Sequence, residues 1–93
     1  MGRTTQAIVI NEKDNVATAL KPLIAGARVS VEFQGRIEKI TLISDIPAGH
    51  KFALKEMEEG EAVIKYGEPI GQSTVKITRG EHVHVHNVVS QKL

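Results

Sequence analysis

Three features of the sequence predict a compact, mostly β domain of short strands with one short helix near the N-terminus. The first is a glycine-centred frame, apolar-x-x-Gly-x-x-apolar, which occurs four times: Leu23 to Val29 around Gly26, Ile46 to Phe52 around Gly49, Met57 to Val63 around Gly60, and Ile77 to Val83 around Gly80. In such a frame the glycine takes the left-handed backbone of a tight turn, and the flanking apolar residues dock inward. The second is the alternation in Arg28-Val29-Ser30-Val31-Glu32-Phe33, the period of a half-buried strand with Val29, Val31 and Phe33 on one face. The third is length. The 93 residues make one domain, with a core over about residues 7–89, and a chain this short buries only about 60–65% of its unfolded surface.

Ala7-Ile8-Val9-Ile10 reads as the first strand. Val16-Ala17-Thr18-Ala19-Leu20 reads as the helix, capped by Asp14 or Asn15 and stopped by Pro22, which disfavours the α conformation at Lys21. The strand Arg28–Phe33 turns at Gln34-Gly35 into a second strand of about residues 37–43, giving an antiparallel hairpin. After Asp45 the chain becomes short strands punctuated by the remaining frames. The glycines fall at positions 26, 49, 60 and 80, which is too uneven for a solenoid. The expected aliphatic core is Val9, Leu20, Leu23, Val29, Ile40, Leu42, Ile46, Leu54, Val63, Ile70, Ile77 and Val83.

Twelve Lys and Arg against eleven Asp and Glu leave a formal charge of +1. That balance gives no basic excess for nucleic acid, and Phe33, Phe52 and Tyr66 make no stacking platform for single strands. The absence of cysteine excludes disulfides and thiolate metal sites and fits a reducing compartment, so the cytoplasm is expected. No apolar run approaches the roughly 18 residues of a membrane helix. The N-terminus carries no apolar segment of secretory length, so a soluble, unprocessed chain is expected.

The densest chemical feature is His82-Val83-His84-Val85-His86-Asn87. On a regular strand that period sets three imidazoles on one face and two valines on the other. Same-face neighbours about 6.6–7 Å apart can converge on one metal at roughly 2.0–2.1 Å per nitrogen, which makes His84 and His86 candidate ligands. The same pattern also describes the wet side of a half-buried strand, with His82, nearest the turn, the most solvated. A second cluster, Gly49-His50-Lys51, combines close backbone approach with a base that titrates near neutrality and a fixed cation, so His50 and Lys51 are candidates for acid–base work or substrate contact. A third, Ile64-Lys65-Tyr66-Gly67-Glu68-Pro69-Ile70-Gly71, ends one strand in Lys-Tyr and begins the next after a Gly-Glu-Pro turn; it reads as structural by default, since Lys65 and Tyr66 point to opposite faces of a regular strand and at most one joins the histidine face. The acidic run Glu56, Glu58, Glu59 and Glu61 reads as a solvated rim.

Together, Asp14-Asn15-Val16-Ala17, Gly49-His50-Lys51-Phe52-Ala53-Leu54, Val63-Ile64-Lys65-Tyr66-Gly67-Glu68-Pro69-Ile70-Gly71 and Gly80-Glu81-His82-Val83-His84-Val85-His86-Asn87 resemble the SAF domain of altronate and galactarate dehydratases, a β-clip fold. The resemblance runs from about residue 7 to residue 89. It implies a small domain or small subunit that helps to cap or complete the active site of a larger catalytic subunit, in a hydro-lyase acting on sugar acids or in the related sulfolactate sulfo-lyase. It implies no activity alone. It also implies a divalent metal (iron, manganese or zinc) held mainly by that partner, catalytic roles for His50 and Lys51, and substrate contacts from Gly49, Asn87, Lys65 and Tyr66. Two other readings compete: a free-standing metal- or anion-binding module built on the histidines, and an interaction module of the same fold without chemistry. Exposed strand edges can equally pair with a second copy of the chain.

Overall fold

The structure, a computed structural model, describes residues 6–33 and 35–90. Among these residues nine strands and no helix form: β1 (Ala7–Ile8), β2 (Val16–Ala19), β3 (Arg28–Phe33), β4 (Arg36–Thr41), β5 (Lys51–Ala53), β6 (Ala62–Lys65), β7 (Glu68–Ser73), β8 (His82–Val83) and β9 (Val88–Ser90). They make a four-stranded sheet in the order β1-β2-β5-β8, the β3-β4 hairpin, and a three-stranded sheet in the order β6-β7-β9. Every strand pairing among the described residues is antiparallel. The predicted Gln34-Gly35 turn and the inward face predicted for Phe33 fall partly outside the described residues.

The four glycine frames organise this fold. Gly26, Gly49, Gly60 and Gly80 have φ of 90°, 83°, 87° and 88°, the left-handed value that the third position of a type II turn requires. Each of β3, β5, β6 and β8 begins two residues after its glycine. The frames associate in pairs, through bridges Leu23↔Ile46 and Met57↔Ile77. All eight flanking apolar side chains are buried, from 0% exposure at Val29, Phe52, Met57, Val63, Ile77 and Val83 to 5% at Leu23. Each pair feeds its own core. Leu23, Val29, Ile46 and Phe52 join Val31, Ile40, Leu42 and Leu54 in one cluster. Met57, Val63, Ile77 and Val83 join Val16 and Ala53 in the other.

The predicted N-terminal helix does not form, because residues 16–19 are the second strand of the four-stranded sheet, paired with β1 on one side and β5 on the other. Val16, Ala17 and Ala19 are all buried. A strand covered on both faces shows an apolar run without alternation, and such a run cannot be told from a helix by periodicity. The predicted cap residues do accept backbone N–H groups, but at longer range. Asp14 Oδ1 accepts from Gly67 N–H at 2.8 Å and Asn15 Oδ1 from Ile64 N–H at 2.8 Å, while Asn15 Nδ2 donates to the Ala62 carbonyl at 3.0 Å. These contacts fasten the start of β2 to the β6-β7 hairpin.

Of the expected core, Leu20 is instead 50% exposed, and Val9 and Ile70 pack at the margins of the two clusters. Phe52 and Met57, marked as inward anchors by the glycine frames but outside the aliphatic list, take central places, as do the unmarked small residues Ala7, Ala17, Ala19 and Ala53. No helix of the described residues is long and apolar enough to cross a membrane.

Candidate functional site

The β5–β8 ladder assembles the histidines. Its register is Lys51↔Val83 and Phe52↔His82, so His50 and His84, one position further along, come opposite each other. Their rings stack with centroids 4.2 Å apart. His82 closes the group: its Nε2 lies 2.9 Å from Nδ1 of His50, and its ring is 5.6 Å from that of His84. The ring of His86 is 5.1 Å from that of His82. All four histidines of the chain thus gather on one patch.

The patch arises differently from the strand that the alternation predicts. β8 stops at Val83, and residues 84–87 form a turn in which Asn87 N–H donates to the His84 carbonyl at 3.0 Å. Val83 is fully buried, whereas Val85 is 81% exposed, so the valines do not share an inner face. Asn87 is the cause. Its side chain is 2% exposed and spans the turn, accepting at Oδ1 from His84 N–H (2.9 Å) and donating from Nδ2 to the His82 carbonyl (2.8 Å). An asparagine that satisfies backbone groups three and five residues back competes successfully with a continuing ladder.

Replacing Asn87 by alanine strands one donor and one acceptor, at about 1–3 kcal/mol for each group left unsatisfied. We therefore expect Asn87→Ala to lower the midpoint of thermal unfolding clearly, and Asn87→Asp to lower it at least as much at neutral pH, because a buried carboxylate oxygen would face the His82 carbonyl where the amide donor stood.

His82, expected to be the most solvated of the three, is half-buried at the centre of the patch. The signal that could have placed it is the frame itself, since His82 stands two residues after Gly80 just as Lys51 stands two residues after Gly49. Lys51 starts β5 beside His50 and is half-buried. Burial, and then the charge of Lys65, hold its ammonium below the usual lysine range. The His82 imidazole is likewise pulled down, by burial first and then by His86, His50, His84 and Lys51. His84 is lowered by desolvation, His50, Lys51 and His86, in that order. Every charge acting on these two imidazoles is thus another imidazole or a lysine. His82 and His84 are therefore biased towards neutral, lone-pair-bearing rings beside the Lys51 ammonium, a combination suited to anions and proton acceptance.

Lys65 reaches the patch through its repulsion of Lys51 and lies 4.8 Å over the ring of Tyr66. Tyr66, 57% exposed, sits with Gly67 in the two-residue β6-β7 turn, both at positive φ (60° and 74°), the backbone that such a hairpin demands. Gly49 N–H donates to the Ala19 carbonyl at 2.8 Å, and the space where a side chain would stand is open. A small concavity of about 190 Å³ beside the patch is lined by Lys51, His84, Ile70, Val85, Val88 and Ser90. A larger groove of about 580 Å³, around Asp14, Lys55 and Arg79, includes none of the predicted site residues. The nitrogens of His50, His82 and His84 all lie within 4.8 Å of one another, so these three could hold a metal, with His86 outside that set.

Comparison with known proteins decides the family. A family model described as the altronate/galactarate dehydratase SAF domain matches residues 5–91. The chain belongs to this family. It is 49% identical over 82 residues to the altronate dehydratase of Escherichia coli strain K12, an alignment that takes in 88% of this chain and 16% of that enzyme. The SAF domain therefore spans about one sixth of the length of that relative. It is also 44% identical over 59 residues to the (2R)-sulfolactate sulfo-lyase subunit alpha of Chromohalobacter salexigens, covering 63% of each chain. The corresponding subunit from Paracoccus pantotrophus is 44% identical over 54 residues, 58% of this chain and 81% of that subunit. This is a SAF domain of the sugar-acid dehydratase type, with lyases as its relatives.

Proposed function

We propose that this SAF domain is the small component of a lyase that eliminates water from a sugar acid, its histidine patch closing over the substrate while a larger catalytic partner holds most of the reaction machinery. The observation that carries this reading is the convergence of His50, His82, His84 and Lys51 on one end of the β5–β8 ladder. Loss of water from a 2,3-dihydroxy acid needs a base for the proton next to the carboxylate, stabilisation of the charge then carried by the acid, and a proton for the departing hydroxyl. Lys51 offers a cation to the carboxylate. His50 and His82, sharing a hydrogen bond, can accept a proton at one ring and pass it through the other. Lys65 adds positive potential behind Lys51, and the open surface at Gly49 leaves room for close approach. A divalent metal, where the assembly holds one, supplies Lewis acidity.

The kinship with sulfo-lyase alpha subunits supports both a partner chain and a second substrate class, a sulfonated acid. The test is affinity capture of the tagged chain from its native extract, followed by assay of the eluate on sugar acids and on sulfolactate. The expected result is a several-fold larger stoichiometric partner and an activity that His50→Ala and Lys51→Met each lower about 100-fold without loss of co-elution. A chain that elutes alone, or variants of unchanged activity in the captured complex, would overturn the reading.

A further inference from the structure

We infer that His50, His82 and His84 form a divalent-cation site belonging to this chain itself, with a fourth coordination position left open beside Lys51. The inference goes beyond the proposed lyase role; a bound cation would take Nδ1 of His50 and Nε2 of His82, which share a hydrogen bond only in the metal-free patch, so the proton relay drawn above belongs to the metal-free chain. The site also differs from what the His-x-His spacing alone suggests, because it replaces His86 by His50, a residue thirty-two positions before His82 in the chain.

Three observations carry it. The three candidate nitrogens lie within 4.8 Å of one another, and Nδ1 of His50 is 2.9 Å from Nε2 of His82. Ligand nitrogens at roughly 2.0–2.1 Å from a tetrahedral zinc stand about 3.4 Å apart, so small ring rotations bring the set to that geometry. The backbone under each ligand is fixed. His50 N–H donates to the Pro47 carbonyl (3.0 Å) and its own carbonyl accepts from Ala19 N–H (2.8 Å), while the Asn87 carboxamide holds the His82 carbonyl and the His84 N–H. Positions held in this way need little reordering when a metal arrives, and Asn87 acts as a positioning residue for two of the three ligands.

The donor set points to the class of ion and of further ligand. Three imidazoles without thiolate suit zinc and its neighbours, and three protein ligands leave one position for water or an exchangeable anion. One of the three ligands, His84, lines the concavity of about 190 Å³ together with Lys51, Ile70 and Val88. A small organic anion fits this arrangement, with one oxygen on the metal, its charge near Lys51 and its carbon atoms against the valine and isoleucine.

The experiment uses the full 93-residue chain stripped with chelator and titrated with Zn²⁺ by calorimetry, with bound metal counted after gel filtration. One equivalent is expected to bind. His50→Ala, His82→Ala and His84→Ala are each expected to weaken binding by at least about 10- to 100-fold, and His86→Ala by no more than about threefold. Because a variant could fail to fold, a second measurement uses the parent chain: on adding Zn²⁺, the imidazole ¹⁵N resonances of three histidines should shift strongly and that of His86 weakly. Failure to bind one equivalent would overturn the inference, as would equal weakening by all four substitutions, the mark of loose binding to a histidine-rich surface. Either failure leaves the co-elution test of the lyase role unaffected, so the two ideas fail separately.

Discussion

Gly80→Ala is expected to destabilise the domain by about 2–5 kcal/mol, a large share of the roughly 5–15 kcal/mol that holds a domain of this kind. Two effects add. At φ of 88° a Cβ costs about 1–2 kcal/mol against the neighbouring carbonyl. The added carbon would also run into the Thr41 carbonyl oxygen and stand 3.4 Å from Cα of Leu42, both backbone atoms that cannot swing aside. This crowding falls where Ile43 N–H donates to the Gly80 carbonyl at 3.1 Å and Gly80 N–H donates to Ala53 at 2.9 Å, so the turn holds the end of the β3-β4 hairpin against β5. The overlap contributes about 1–3 kcal/mol on its own. Gly26→Ala supplies the control: its φ is 90°, but nothing lies within 4 Å of the added carbon. It should lose only the backbone part. Chemical denaturation of the two variants side by side checks this, and equal losses would show that the Gly80 contact is easily relieved.

The glycine frames were the most legible part of the sequence because they carry a local requirement. A left-handed residue between two apolar anchors needs no knowledge of the remaining chain, and all four turns form with their anchors buried. Residues 16–19 were misread for the converse reason. Nothing within Val16-Ala17-Thr18-Ala19 separates a helix from a doubly covered strand, and the partners that decide it, β1 and β5, lie elsewhere in the chain. Asp14 and Asn15 had the right chemistry and the wrong recipient, since a capping oxygen accepts a distant N–H as readily as one in the following turn. At the site, the spacing in 82–87 correctly marked a concentration of imidazoles. It could not disclose that the buried Asn87 ends the strand and turns His84 back over His50. The join between the two polar clusters is a matter of ladder register, and register is set by the core side chains beneath.

Phe52 is the residue through which that register reaches the site, and Phe52→Ala is expected to cost about 3–5 kcal/mol while also weakening whatever the histidines bind. Phe52 is fully buried in the first core cluster and stands in the middle of β5, paired with Ala17 on one side and His82 on the other. Truncation removes the largest fully buried side chain of the described residues from a cluster that holds Ala7, Ala17 and Ala19 together with Leu23, Ile40, Leu42 and Ile46, and such a cluster refills the gap only in part. The strand over that cavity loses packing that holds Lys51 and His50 on one side and His82 on the other. Phe52→Leu retains most of the volume and should cost less than half as much. The informative comparison is between stability and binding across the two variants. If Zn²⁺ affinity falls in step with the midpoint of unfolding, the three imidazoles are positioned by the core through β5. If affinity is unchanged in a clearly destabilised Phe52→Ala, the turn held by Asn87 is sufficient to place them, and the ladder only brings His50 within reach.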